Sequence, residues 1–489
     1  MWIMEKTNSE NNINEFLKFE SMNALFNKKF QNVHYWPLIR FSLYRKIQNE
    51  KQNIGQAHTR IASEPMVKRI SYKFKQFKNM IIYNPLLYRK KIDLLVLNHQ
   101  RRVKDEDQYR CVYTDDFLES TAYQYVILEE PYLEQHYRPV PNDNILYTDY
   151  INLMVAIKRR ISALKPLKIE EKHAIQYLVE LLNETFNMTF TYDDIKQSVT
   201  AAVYSFKHKK RYYKKILKRT NPQAILEVVS YGGSRYVVNA LAKEMNIPTI
   251  ELQHGTMGKY HLAYNFKEKM DLSTFPDYIF TFGQFWKDVT RFPIADDKVK
   301  VVGWPYFERK LSYYKSHTNK SNASKTTILF ISQGTIGKAL SDFAVKFSEL
   351  IDISQYHIIY KLHPGEYDRW EKEYPWLKDT DIEVIDHNQH DMHYYFAQAD
   401  IQVGVSSTAM FEGAGYNLKT FVVKLHSHNY LEELYLNGSA ELVGAPENLY
   451  EGIKSGLDKK SNNIKYLWEP NSLNNLVKSL EDIINSNGK

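Results

Sequence analysis

Short apolar runs that break into Pro, Gly or Ser tips recur along most of this chain, separated by polar stretches with helical spacing. Runs of that length read as buried parallel strands, and their alternation with helical segments predicts a sheet with crossover helices. The first series is "IDLLVLNH" (92–99), "YQYVILEE" (123–130), "NILYTDY" (144–150), "AILEVVS" (224–230), "IPTIELQH" (247–254), "PDYIFTFG" (276–283) and "VKVVGWP" (299–305), with a long helical region over 151–219. A second series follows: "TTILFISQ" (326–333), "YHIIYKLHP" (356–364), "IEVID" (382–386), "IQVGVSS" (401–407) and "KTFVVK" (419–424), with helices between. The fold class this predicts is α/β, with two Rossmann-like doubly wound domains facing a cleft and ligand sites at the carboxyl ends of the strands.

Residues 1–80 lack strand runs and carry helical periodicity, so they are expected to form a helical N-terminal extension. The first α/β domain, with its helical insertion, is expected over 81–311 and the second over 326–465. The stretch 312–325, "SYYKSHTNKSNASK", has little to bury and reads as the linker, and Pro65 marks a further joint. Residues 466–489 are expected to form a helix that crosses back towards the first domain.

Composition narrows the class. With 489 residues, 43% of them hydrophobic and 25% charged, the chain has the make-up of a soluble globular protein of two domains. A single cysteine, Cys111, excludes an intrachain disulfide framework and favours a reducing cytoplasm. No window reaches the roughly 18 apolar residues of a membrane span. The first residues, with Glu5 and Glu10, lack a signal-peptide run. The surplus of eight positive charges favours anionic partners. "FKHKKRYYKKILKR" (206–219) reads as a solvated helix face or as a contact for anionic lipid or a phosphate-bearing acceptor. No nucleic-acid motif accompanies it, so nucleic acid is not an expected partner. "YWPLIRFSLYRKIQ" (35–48), with Arg40, Arg45 and Lys46, allows either a packed extension or a reversible membrane-surface contact.

Four polar tips carry the candidate chemistry. His363-Pro364 ends one strand, where an imidazole can donate to a phosphate oxygen; Lys361 and Glu366 lie beside it. Ser406-Ser407-Thr408 ends another strand and opens a helix, with Glu412 one turn inside. Gln333-Gly334-Thr335 forms a turn able to offer amides to a phosphate, and Gln253-His254-Gly255-Thr256 places an imidazole able to accept a proton from an attacking hydroxyl. Asp379-Thr380-Asp381 reads as a solvated turn, and His387, His390 and His393 lack acidic or cysteine partners, so no essential metal is expected.

The His-Pro pair and the serine motif resemble those of bacterial sialyltransferases and polysialyltransferases. "HGTMGKYH" and "SSTAMFEGAGY" are similar to segments of teichoic-acid CDP-glycerol glycerophosphotransferases. With "YWPLIRFSLYRKI" and the Gln-His-Gly motif included, the chain resembles capsule-locus transferases of the GT-B fold that use CMP-activated keto-sugars such as Kdo or nonulosonic acids, most clearly over 224–424. The resemblance implies a metal-independent glycosyltransferase that needs no cofactor and moves such a sugar onto a capsular or other surface glycan, free or lipid-linked, at the cytoplasmic face of the membrane. It implies that His363 contacts the donor phosphate, that Ser406 and Ser407 share it, and that Glu412 reaches the ribose hydroxyls. His254 matches the histidine treated as catalytic in the glycerophosphotransferases. Sialyltransferases carry an acidic pair followed by Gly that supplies the base; here Glu129-Glu130-Pro131 stands in its place. The base is therefore Glu130 or His254, or the reaction retains configuration and needs no comparable base. A CDP-glycerol or CDP-ribitol polyol-phosphate transferase, a silent glycan-binding subunit of a capsule assembly complex and a nucleotide-sugar epimerase are the alternatives.

Overall fold

The computed structural model describes residues 13–51, 75–318, 325–455 and 464–487. Two compact units emerge, one from Met1–Thr281, Thr290–Lys300 and Leu473–Lys489, the other from Phe282–Val289 and Val301–Ser472.

The first unit is built on seven strands: β1 (Leu94–Leu97), β2 (Tyr125–Glu129), β3 (Ile145–Tyr147), β4 (Ala224–Val228), β5 (Thr249–Leu252), β6 (Tyr278–Thr281) and β7 (Val299–Val301). Their order is β7-β6-β5-β4-β1-β2-β3, and the pairings from β6 through β3 are all parallel. Every residue of β1, β4 and β5 is buried, as the unbroken apolar runs require of strands covered on both faces. The chain steps outward from β1 through β2 to β3, then returns to the other side of β1 with β4. Loops leaving β1 and β4 therefore diverge, and the crevice between them is where such a sheet binds ligands.

Helix α1 (Trp36–Lys51) lies in the N-terminal extension, and α2 (Asp149–Ala163), α3 (Ile169–Phe186) and α4 (Tyr192–Thr220) form the insertion. A reciprocal cap opens α4: the Thr191 hydroxyl accepts from the Asp194 amide at 3.2 Å while the Asp194 carboxylate accepts from the Thr191 amide at 2.9 Å. The extension is part of the body of this unit. Phe16, Trp36, Leu43 and Ile47 share one buried core with Leu182 of α3 and Val199 of α4. Arg40, a candidate for membrane contact in sequence, is buried against Glu20 at 2.6 Å and donates to the Leu262 and Asn265 carbonyls at 2.8 and 3.0 Å. A fifth helix, α5 (Gly233–Glu244), follows β4.

The second unit holds β8 (Thr326–Ile331), β9 (Tyr356–Lys361), β10 (Glu383–Ile385), β11 (Ile401–Gly404), β12 (Lys419–Val423) and β13 (Glu441–Val443), all parallel, in the order β10-β9-β8-β11-β12-β13. The same reversal falls here between β8 and β11. Its helices include α6 (Pro305–His317), α7 (Gly337–Ser348), α8 (Met392–Gln398) and α9 (Ala409–Gly415). The last helix, α10 (Ser472–Asn487), belongs to the first unit from Leu473 onward.

The expected α/β class of two doubly wound parallel sheets is what the chain forms. Three details differ from expectation. Residues 312–317, read as linker, continue α6, because Tyr306, Phe307 and Lys310 give that helix a face to bury. Residues 301–311 pack with the second unit instead of the first. Strand β13 and the hairpins pairing Lys29–Phe30 with Val33–His34 and Val103–Asp105 with Gln108–Arg110 are too short for an apolar run to announce. The joint expected at Pro65 lies outside the described residues.

Candidate functional site

In the first unit the candidate residues sit at the carboxyl ends of the central strands. His254 follows β5. Its Nε2 lies 3.1 Å from the Tyr231 hydroxyl, in the loop after β4, and its Nδ1 3.3 Å from the Tyr264 hydroxyl. Its ring stacks near that of His99, in the loop after β1, with centroids 6.0 Å apart. The loops on both sides of the strand-order reversal thus converge on this one imidazole. Gly255 holds φ at 63°, a left-handed backbone that suits glycine and turns the chain away directly after the histidine. Val229 also sits at positive φ, 66°, a conformation a β-branched residue adopts only under strain, at the tip that presents Ser230 and Tyr231.

Burial, reinforced by His261, His99 and Arg235 nearby, holds the His254 imidazole well below the ordinary histidine range. The side chain keeps 15% of its surface exposed, enough for a substrate atom to reach it. Beneath it lies the buried carboxyl of Glu251, pushed up to about 7 by burial against the opposing pull of its hydrogen bonds from Ser230 and Tyr264. Burial and the nearby Glu251 raise Glu227 to about 8. With Glu251 ionised, the Tyr264 hydroxyl donates to it, so His254 Nδ1 donates to the Tyr264 oxygen and the Nε2 lone pair accepts from the Tyr231 hydroxyl.

Glu130 sits elsewhere in this crevice, at the end of β2. Arg235 of α5 approaches it at 3.3 Å, Gln100 donates at 2.7 Å, and the Ser234 hydroxyl donates to its other oxygen. Lys209 of α4 donates to Ser234 at 3.0 Å. Burial opposes ionisation of Glu130, but Arg235 and Lys209, with the bonds from Ser234 and Gln100, outweigh it and hold the carboxyl at about 2. A carboxylate so stabilised is a weak base. Its neighbour Glu129 is turned into a buried network with Arg102 at 2.6 Å and His136 at 3.1 Å.

In the second unit the structure joins three of the predicted tips. Gln333, after β8, accepts from both the amide and the hydroxyl of Ser406, after β11, at 3.2 and 3.0 Å. That bridge spans the reversal point. Arg369 donates to the carbonyls of Gly334 and Gly365 at 3.0 and 3.1 Å, tying the turn after β8 to the His-Pro loop after β9. His363 is exposed at the loop tip, and its Nδ1 accepts from the Gly365 amide at 3.1 Å. Buried Glu366 fixes the loop from below, accepting from the His363 amide at 2.7 Å, from Ser332 at 3.0 Å and from Tyr374 at 2.6 Å. A side chain at Gly337 would stand 2.0 Å from that carboxylate, so only glycine lets α7 start there.

The remaining predicted residues divide. Ser407 accepts from the Ala409 amide at 3.3 Å, at the start of the seven-residue α9, and Thr408 and Thr335 lie on the same tips, half-buried and exposed. Pro364 stays in the loop beside His363. Lys361 does not join them: its ammonium is buried, donates to the Tyr367 hydroxyl at 2.6 Å and the His387 carbonyl at 3.0 Å, and is lowered to about 8 by burial. Glu412 faces His393 at 3.6 Å, and burial with Asp391 nearby raises it to about 8. Among the described residues no group of three His, Cys, Asp or Glu side chains could hold a metal ion.

His99, Tyr231, Tyr264, Glu251, Arg235, Lys209 and Arg369 were not anticipated. "SYGGSRY" (230–236) was the available signal for two of them, since a Gly-Gly-Ser tip between a strong strand and a helix marks a ligand-facing turn.

No family model matches the chain, and no curated protein matches it. Among solved structures it is similar to UDP-GlcNAc 2-epimerase from Neisseria meningitidis bound to UDP-GlcNAc (13% identity, 80% of this chain and 99% of that one, TM-score 0.49). It is similar also to the Methanocaldococcus jannaschii UDP-GlcNAc 2-epimerase in complex with UDP-GlcNAc and UDP (13%, 80% and 99%, TM-score 0.44). A third is the wall teichoic acid polymerase TagF (10%, 86% and 99%, TM-score 0.42). At such identities and scores these likenesses do not bear on what this chain does.

Proposed function

We propose that the chain is a glycosyltransferase that moves a CMP-activated acidic keto-sugar, a nonulosonic acid or Kdo, onto a bacterial capsular or surface glycan. The observation that carries this is the Gln333–Ser406 bridge at the reversal point of the second sheet, with His363 on the adjoining strand end. Hydroxyls after β11 and an imidazole after β9, on either side of the tip of β8, would take a single phosphate between them. As the bond from the sugar's anomeric carbon to the phosphate oxygen breaks, the electron pair leaves with CMP. Donors from His363 and Ser407, joined by the Ser406 hydroxyl once it turns from Gln333, then act more strongly on the developing charge than on the intact donor. The acceptor oxygen bonds to the anomeric carbon and gives up its proton to a general base, a role for which the His254 imidazole of the first unit is the candidate. Burial keeps that imidazole neutral, whereas Glu130 is held by its cations. Strain at Val229, beside the Tyr231 that touches His254, fits a preorganised site.

A second reading has its own support. The choice of His254 over Glu130 as base matches the CDP-glycerol and CDP-ribitol polyol-phosphate transferases better than the sialyltransferases, so a polyol phosphate is the alternative cargo.

Release of CMP, measured with CMP-Kdo, a CMP-nonulosonic acid, CDP-glycerol and CDP-ribitol in turn, each with a glycan acceptor, tests both. Release from a CMP-sugar alone is expected. Release from a CDP-polyol alone overturns the sugar reading in favour of the second, and release from none of them leaves a binding subunit.

A further inference from the structure

Three stretches of the first unit, residues 75–92, 150–168 and 195–220, hold nineteen Lys and Arg and not one Asp or Glu. The whole chain has a surplus of only eight, so everything outside these stretches is net negative. The fold gathers all three. Ile92, Ile151, Val155, Tyr212 and Ile216 share one buried core, with Leu86 and Met154 packed on its rim. Helices α2 and α4 run antiparallel: Ser162 meets His208 at 2.8 Å, and Lys158 lies over the Tyr212 ring at 4.9 Å. At the far end of α4, Arg219 donates to the Leu86 carbonyl.

The outward side of this layer is amphipathic. On α2, Leu153, Ile157 and Ile161 recur every four residues, 45%, 41% and 56% exposed, and Leu164 just beyond is 84% exposed. Between them stand exposed Arg159 and Arg160. The helical residues 75–82 add Phe77 and Ile81, 64% and 57% exposed. On α4, Lys207, Arg211, Lys214, Lys215 and Lys218 form an exposed row at helical spacing, while Lys209 turns inward to Ser234. Aliphatic side chains standing out among cations, with no acid in the segments, match the negative headgroups and apolar interior of a bilayer surface. Nucleic acid or a charged glycan would be served by the cations but not by protruding Ile and Leu.

We infer that the outer face of α2, α4 and residues 75–91 docks on an anionic phospholipid membrane, with the α2 stripe entering the headgroup layer and the α4 row lying on the phosphates. The inference stands apart from the donor reading, because it uses none of the strand-end residues.

Co-sedimentation of the full chain with vesicles tests it, comparing pure phosphatidylcholine with a mixture of phosphatidylcholine and phosphatidylglycerol. Binding to the mixed vesicles alone, weakened by salt, is expected. Each basic residue removed should weaken binding about fivefold, so Lys214→Ala, Lys215→Ala and Lys218→Ala together should cost about a hundredfold. Ile157→Ser, Ile161→Ser and Leu164→Ser together should cost at least about tenfold, since those apolar groups leave water on insertion. All six positions are exposed or at a helix end, and unchanged melting temperatures would confirm that both variants fold. Equal binding to both vesicle types, no binding, or undiminished binding by the folded variants overturns the inference. So does a stripe variant that turns a dimer into a monomer with vesicle binding unchanged, which would assign the face to a second copy of the chain.

Discussion

The two strand-end clusters arise from the same topology yet offer opposite environments. Around His254 half-buried rings crowd over a buried floor: two tyrosine hydroxyls touch the imidazole, and two carboxyls below it are raised by burial. Around His363 the tips are half-buried or exposed, and their order comes from backbone ties through Gln333, Arg369 and Glu366. A crowded ring of side chains around a neutral imidazole suits proton transfer. Open loops lined with hydroxyls suit a phosphate that must arrive and leave. A shared strand order therefore fixes where the polar tips gather, and the burial of each tip decides which chemistry it would suit.

The sharpest way to break this comparison is His254→Ala. Loss of a general base should lower turnover about 10²- to 10⁴-fold while leaving CMP binding intact. In the wild type, the acid limb of the rate against pH should fall below 6.5, because burial keeps the imidazole neutral there.

Next in size is the contrast between two arginines. Arg235→Met leaves Glu130 buried without its nearest cation and should cost about 3–5 kcal/mol in denaturant unfolding. Arg369→Met, which loses a half-exposed pair with Glu373, should cost under about 1 kcal/mol. A large loss at Arg369 would mean the second cluster depends on that side chain, through its carbonyl bonds and its pair with Glu373, as heavily as the first depends on Arg235.

His363→Ala should lower turnover by about 10² or more, with no change in the pH at which the acid limb falls. A shifted limb would make His363 the titrating base and erase the distinction between the clusters.

The smallest effect concerns stability. Folded Glu227 keeps its proton up to about 8, whereas an unfolded glutamate releases it near 4.5. Between those values the folded state binds more protons, so stability falls as pH rises. Glu227→Gln should flatten that fall, raising the melting temperature near pH 8 more than near pH 5. No flattening would mean that the carboxyl is ionised in the folded protein.

Most strands of both sheets were legible because each is an apolar run ended by a polar tip, as in Leu94–Leu97 before Asn98-His99. Strand order was not, since it depends on pairings such as Leu94 with Ala224, set by packing across long separations. That is why His254 could be nominated from Gln-His-Gly, but its contact with His99 could not. Lys209 misled for a related reason: inside a basic run it looks solvated, and only the packing of α4 on α5 turns it towards Ser234. Lys361 erred the other way: two positions before His363 it would share a face on a regular strand, but the strand ends at Lys361, whose ammonium is taken up by Tyr367 and the His387 carbonyl while His363 stands exposed in the loop beyond.

The division of labour is tested most directly by the thermal shift that CMP produces in three forms of the protein: wild type, Ser406→Ala with His363→Ala, and His254→Ala. Binding to the folded state at a hundred times Kd stabilises by about 2.7 kcal/mol. The account predicts that shift in the wild type and in His254→Ala, and its loss in the double variant. A shift that survives in the double variant but vanishes with His254 would contradict it.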